Sequence, residues 1–284
     1  MAFAERLAEQ VERAQSLVCI GLDPDPARFP HALRGLGRKE AIVAFNRAII
    51  EATSDLVCAY KPNFGFYVAQ GVDGVSALVE TRALIPAHIP VVLDCKVGDM
   101  GSTAAAYAAG YLGEWGFDAI TANPYQGEDS LAPFLCYPDR AVFILCRTSN
   151  PSSADLQDMI LTQTDETMYL RVASRANQWQ RDYPAQVGLV VGATYPGELD
   201  AIRQRCPDLP ILLPGVGAQE GDVEASVSNG VRVDGTGLLV SSSRSIIYAG
   251  SGPDFAQRAR AATLTLQERV NAVRASRTEA RSPS

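Results

Sequence analysis

Eight short runs rich in Val, Ile and Leu recur along the chain, with helix-patterned stretches between them, and this alternation limits the folds open to it. The runs are residues 16–23 (SLVCIGLD), 55–63 (DLVCAYKPN), 90–97 (PVVLDCKV), 118–125 (DAITANPY), 141–149 (AVFILCRTS), 186–194 (QVGLVVGAT), 210–217 (PILLPGVG) and 233–242 (VDGTGLLVSS). Each is apolar on both faces, as a strand in a parallel sheet covered by helices must be. Helical patterning falls between them, at 38–53, 66–85, 103–113, 164–181, 196–205, 220–229 and 254–275. Eight β-then-α units within 284 residues predict an α/β fold, a single-domain (β/α)8 TIM barrel over 1–277, with the small polar tail 278–284 fraying. A doubly wound sheet is the alternative. The first strand lacks the glycine-rich dinucleotide loop that such a sheet carries.

Composition narrows the partners. The chain has a formal net charge of −7 and no basic block, which argues against nucleic acid and anionic membrane surfaces. The N-terminal MAFAERLAEQVERAQ has no apolar signal core, and no apolar run approaches the length of a membrane span. Six cysteines, at 19, 58, 95, 136, 146 and 206, form no CxxC pair, and the histidines are only His31 and His88. That pattern argues against a zinc site and for a reduced, cytoplasmic setting. Residues 150–163 form a polar insertion longer than a barrel needs, either a surface loop or a lid.

In a barrel the chemistry gathers where the strands end. The third run turns abruptly from apolar to charged in VVLDCKVGDMGST, residues 91–103. By strand alternation Asp94 and Lys96 share a face and Cys95 points away into the core. Asp99 follows in a glycine-bearing loop, and Ser102 or Thr103 is placed to cap the alanine-rich helix beyond. Opposite charges about 4 Å apart gain roughly 4 kcal/mol at an effective dielectric near 20, enough to keep a lysine between aspartates protonated. The competing reading is a solvated edge, or a salt bridge that orients a loop. Other strand ends deliver Asp23, then Lys61 and Asn63, then Asn123, then Arg147, Thr148 and Ser149. After the seventh come Gly215 and Gly217 with Gln219 behind them, and after the eighth Ser243 and Arg244. Glycine-permitted N–H groups at a helix start, beside an arginine fork, suit a phosphate.

These residues carry a resemblance. The pattern D-x-K-x-x-D, as Asp94, Lys96 and Asp99 followed by Thr103, resembles the signature of the orotidine 5′-phosphate decarboxylase family. The similarity extends along the barrel in the family's order: GLDPDP, YKPNFGFY, LLPGVGAQEGD and SRSIIYA, with NPYQGEDSL and CRTSNPS resembling the larger bacterial branch. The resemblance implies cofactor-independent decarboxylation of orotidine 5′-monophosphate to uridine 5′-monophosphate, with no metal. Lys96 would donate the proton to carbon 6, and Asp94 would lie beside the departing carboxylate. Lys61 and Asp99 would complete a Lys–Asp–Lys–Asp row. Asp99 and Thr103 would reach across a homodimer interface into the partner's site. Asp23 would bind ribose hydroxyls, Ser149 (or Thr148) the pyrimidine amide, and Gly217, Gln219 and Arg244 the phosphate side. Two departures are Met100, where isoleucine is common, and Ser243, where many members have glycine.

The chemistry suits the row. Loss of carbon dioxide leaves negative charge on an sp² ring carbon, and a fixed ammonium beside it stabilises that charge and then quenches it. Three rivals share the scaffold. A sugar-phosphate β-keto acid decarboxylase would need magnesium, and Lys61 with the full D-x-K-x-x-D and the GAQ loop argue against it. A Schiff-base aldolase needs a neutral lysine, which flanking aspartates oppose. A non-catalytic nucleotide-binding barrel would keep the phosphate site without the reaction.

Overall fold

The computed structural model describes residues 1–216 and 222–279, and within them eight parallel strands close into a barrel. The strands are β1 (Val18–Gly21), β2 (Ala59–Lys61), β3 (Val92–Val97), β4 (Ala119–Ala122), β5 (Ala141–Arg147), β6 (Gln186–Val191), β7 (Ile211–Pro214) and β8 (Leu238–Ser242). Hydrogen bonding runs in the order β2, β1, β8, β7, β6, β5, β4, β3. The ring closes between β2 and β3, where Tyr60 pairs with Val91 and Asn63 with Asp94. There the Tyr60 N–H donates to the Pro90 carbonyl and the Asp94 N–H to the Pro62 carbonyl, each at 3.0 Å. Closure removes the unpaired edges an open sheet would carry. It also brings the two lysine-bearing strands side by side.

The strands are buried along nearly their whole length, which is why their sequences run apolar without alternation. The helices Arg38–Thr53 and Pro196–Arg205 have the bounds expected from the sequence. The expected 66–85 helix is two helices, Phe64–Val68 and Gly71–Leu84, with Gly71 at φ +70° turning the chain between them. The helix expected from 164 starts at Met168, because Glu166–Thr167 pairs with Ile160–Leu161 of the inserted segment as a short hairpin. The alanine-rich helix begins at Gly101 with Met100 as its N-cap, so Ser102 and Thr103 lie in its first turn rather than capping it. The last helix, Phe255–Glu279, runs two residues into the tail expected to fray, and residues 280–284 lie outside those described. Among the described residues, no helix is long and apolar enough to cross a membrane.

An element the strand-helix count left out seals the barrel floor. In the helix Phe3–Ala14 the buried residues include Phe3, Leu7, Val11 and Ala14, spaced for one helical face. The Phe3 ring meets Phe143 of β5 edge-on at 5.9 Å. Arg6 of this helix reaches Asp118, just before β4, at 2.9 Å, and Arg82 and Arg140 reach the same carboxylate at 3.2 and 3.5 Å. Asp118 also accepts the Val91 N–H at 2.9 Å. One buried carboxylate thus balances three arginines drawn from three separate elements. Removing it leaves guanidinium charge without a counterion, so Asp118→Asn is expected to cost about 3 kcal/mol of stability, read as a lower urea midpoint at unchanged m-value.

Candidate active site

The strands' C-terminal ends surround a cavity of about 650 Å³. On its wall Asp94 lies between two lysines: Lys61 Nζ is 2.9 Å from Oδ2 and Lys96 Nζ is 2.5 Å from Oδ1. The lysines differ in access, with the Lys61 side chain 6% exposed and that of Lys96 47% exposed. Lys61 is therefore a fixed charge behind the carboxylate, and Lys96 is the ammonium open to an incoming molecule. Asp94 takes two further hydrogen bonds, from the Thr121 hydroxyl to Oδ1 at 3.0 Å and from Asn63 Nδ2 to Oδ2 at 3.4 Å.

Strand alternation places Asp94 and Lys96 on one face, and their side chains do meet, but through a bulge. Pairing between β3 and β4 shifts register between Leu93 and Val97, and Lys96 has φ +46°, in the left-handed region. Its N–H leaves the ladder and donates to the Thr121 hydroxyl at 2.8 Å. One threonine therefore ties both the backbone of Lys96 and the side chain of Asp94. A non-glycine residue at positive φ costs about 1 kcal/mol or more and persists where its surroundings over-determine it. Cys95 packs against the core as expected, and burial pushes its thiol up to about 12.

Burial alone would lower the Lys61 ammonium, but the carboxylates of Asp94 and Asp23 outweigh it and hold Lys61 above the ordinary lysine value. Burial would likewise raise Asp94, and Lys61 and then Lys96 hold its carboxyl well below the usual carboxylate range.

Asp23 lines the cavity at the end of β1, where the Asn63 N–H donates to Oδ1 at 3.1 Å and the Ser243 hydroxyl to Oδ2 at 2.6 Å. Thr148, Ser149 and Arg244 also line it, with Arg244 opening a short helix after β8. The inserted segment is tied to the rim by buried Arg147, which bonds Ser153, reaches Asp158 at 3.1 Å and stacks 4.0 Å over the Tyr195 ring. Gln157 of that segment lines the cavity and accepts the Thr148 N–H at 2.8 Å. Asp99 and Thr103 do not line the cavity of their own chain. Asp99 accepts the Met100 N–H at 2.8 Å and Thr103 is exposed. Asn123 caps the turn that follows β4, accepting the Tyr125 N–H at 3.0 Å. Gly217 and Gln219 lie outside the described residues.

Thr121 and Gln157 were not expected at the site, and Asn63 was expected at its strand end without a role. Thr121 stands out in DAITANPY only as one hydroxyl in an apolar run, and its role depends on a bulge in the neighbouring strand. Gln157 sits in a segment whose composition says only that it is polar.

A closed barrel with a lysine–aspartate–lysine row and an arginine around one cavity at its C-terminal face is an enzyme-type barrel for a small anionic substrate. The chain belongs to the orotidine 5′-phosphate decarboxylase / HUMPS family, whose sequence pattern matches residues 16–259. An orotidine 5′-phosphate decarboxylase of Thermomicrobium roseum is 52% identical over 275 residues, covering 96% of each chain. One of Cellvibrio japonicus is 48% identical, covering 97% of this chain and all of that one. Among solved structures, the OMP decarboxylase of Leishmania donovani superposes with a TM-score of 0.83 at 41% identity, covering 96% of this chain and 99% of that one. A putative orotidine-monophosphate decarboxylase of Toxoplasma gondii gives 0.91 at 35% identity, covering 99% of both.

The charge row carries a pH signature. Because Asp94 is depressed in the fold, its stabilisation is complete above the unfolded carboxylate value of about 4 and is lost as pH falls through the folded value. Because Lys61 is raised, its share is complete below about 10.4 and is lost as pH rises through its folded value. Asp94→Asn is therefore expected to lower stability by about 3 kcal/mol at neutral pH. The gap to the wild type, followed by denaturant unfolding at a series of pH values, should shrink progressively below about pH 4.

Proposed function

We propose that the chain converts orotidine 5′-monophosphate to uridine 5′-monophosphate and carbon dioxide in pyrimidine biosynthesis, in the cytoplasm, with Lys96 as the acid. The observation that carries this reading is the Lys96 ammonium, held 2.5 Å from Asp94 and open to the cavity. The bond from carbon 6 to the carboxylate breaks and its electron pair stays on the ring carbon. An N–H proton of Lys96 then moves to that carbon, and solvent returns a proton to the amine. Developing charge opposite a preoriented ammonium is stabilised without reorganisation, and Lys61 and Asp94 keep that ammonium in place. Asp94 would lie beside the substrate carboxylate, and its charge would also favour that group's departure. The row needs no cofactor or metal for these steps.

Binding follows from the same wall. Asp23 receives ribose hydroxyls, Ser149 or its neighbour Thr148 the pyrimidine amide, and Arg244 the phosphate, with Gly217 and Gln219 on the phosphate side. Phosphate binding remote from the ring can be spent on alignment, so orotidine without its phosphate should lose kcat as well as affinity. Purified, chelator-treated protein is expected to bleach orotidine 5′-monophosphate, followed by ultraviolet absorbance. Lys96→Ala removes both proton donor and ammonium and is expected to lose about 10⁴-fold or more in kcat. Equal rates for the two proteins, or dependence on added magnesium, count against the assignment.

The active form in this reading is a homodimer. Asp99 and Thr103 do not line their own cavity, and close to them in the chain Met100 and Tyr107 are exposed, with Tyr107 packed on the largely buried rings of Tyr111, Trp115 and Phe64. An apolar patch next to two polar residues suits a partner's site edge. Mixing inactive Lys96→Ala with inactive Asp99→Ala should restore activity, because a mixed dimer then holds one intact site. No recovery after subunit exchange would assign Asp99 to its own chain.

A further inference from the structure

Ser243, between β8 and Arg244, has a specific partner. Its hydroxyl donates to Asp23 Oδ2 at 2.6 Å while the Asn63 N–H holds Oδ1 at 3.1 Å. Each carboxylate oxygen thus has one fixed donor and remaining acceptor capacity, and Asp23 lines the cavity. A second observation lies on the adjacent strand. A Cβ at Gly21 would come within 2.6 Å of Ser243 Cβ and 2.9 Å of its Oγ. Gly21 is not among the positive-φ glycines, so its backbone does not require glycine. The missing side chain is the space into which Ser243 fits.

We propose that Ser243 is a positioning residue, seated by Gly21, that orients the Asp23 carboxylate toward a ribose hydroxyl, and so contributes to selectivity for ribose over deoxyribose. This rests on the reading of Asp23 as the ribose partner. A charge-assisted hydrogen bond of this kind fixes rotation about the carboxyl bond. Without it, the Asn63 N–H alone holds the carboxylate, and Oδ2 is left to water. The same hydroxyl ties the residue preceding the phosphate arginine to the ribose group, so sugar and phosphate are held in one register.

The test measures affinity by calorimetry for uridine 5′-monophosphate and its 2′-deoxy and 3′-deoxy forms, which separates it from turnover. The wild type should favour the full ribose over at least one deoxy form. In Ser243→Ala that ratio should fall about tenfold, with Tm close to the wild type. Should orotidine 5′-monophosphate be turned over, its KM should rise by a similar factor while kcat changes less than about threefold. Gly21→Ala should reproduce the loss of selectivity, since its Cβ would displace Ser243 and also come within 3.2 Å of Asp23 Oδ2. An unchanged ribose-to-deoxyribose ratio in Ser243→Ala, or equal wild-type affinity for all three nucleotides, would overturn the proposal. Selective nucleotide binding without turnover of orotidine 5′-monophosphate would support the positioning role and count against the decarboxylase reading alone.

Discussion

The Asp94 carboxylate is the charge on which the site depends. It is buried at the seam where the barrel closes, and a lone carboxylate there would be costly. Two ammonium groups, a hydroxyl and an amide meet its oxygens and make the ionised form the stable one. The dependence is mutual, since Lys61 is buried and keeps its proton because Asp94 faces it. Neither group can be neutralised without stranding the other, so the row behaves as one unit.

Barrel closure and the β3 bulge place that unit. Lys61 and Asp94 lie on the two strands that complete the ring, so their contact exists only once the ends of the sheet meet. The bulge then turns Lys96 back toward Asp94 and out toward the cavity, and Thr121 secures the altered backbone. The strain of a left-handed lysine falls on the residue whose ammonium opens to the cavity, a common location for such strain.

The opposite end of the barrel uses charge differently. Asp118 gathers Arg6, Arg82 and Arg140 with no cavity residue among them, and so anchors the N-terminal helix across the floor. Both ends bury an aspartate among cations. Only the upper one leaves a cation about half exposed at a cavity, and that exposure distinguishes it from the clamp below.

The sequence by itself determined the eight-unit alternation, since runs apolar on both faces admit only a covered parallel sheet, and it determined which residues stand at strand ends. Asp94, Lys96, Lys61, Asp23 and Arg244 were legible there because charge at the end of an apolar run is a local signal. The floor helix was legible too, in the spacing of Phe3, Leu7, Val11 and Ala14, but lay outside the strand-helix count. Tertiary structure alone decided the bulge at Lys96, the role of Thr121, the fit of Ser243 against Gly21 and the reach of Gln157 to the rim. Each of these depends on a neighbouring strand or loop distant in sequence, and periodicity within one segment carries no information about what the next one presses against it.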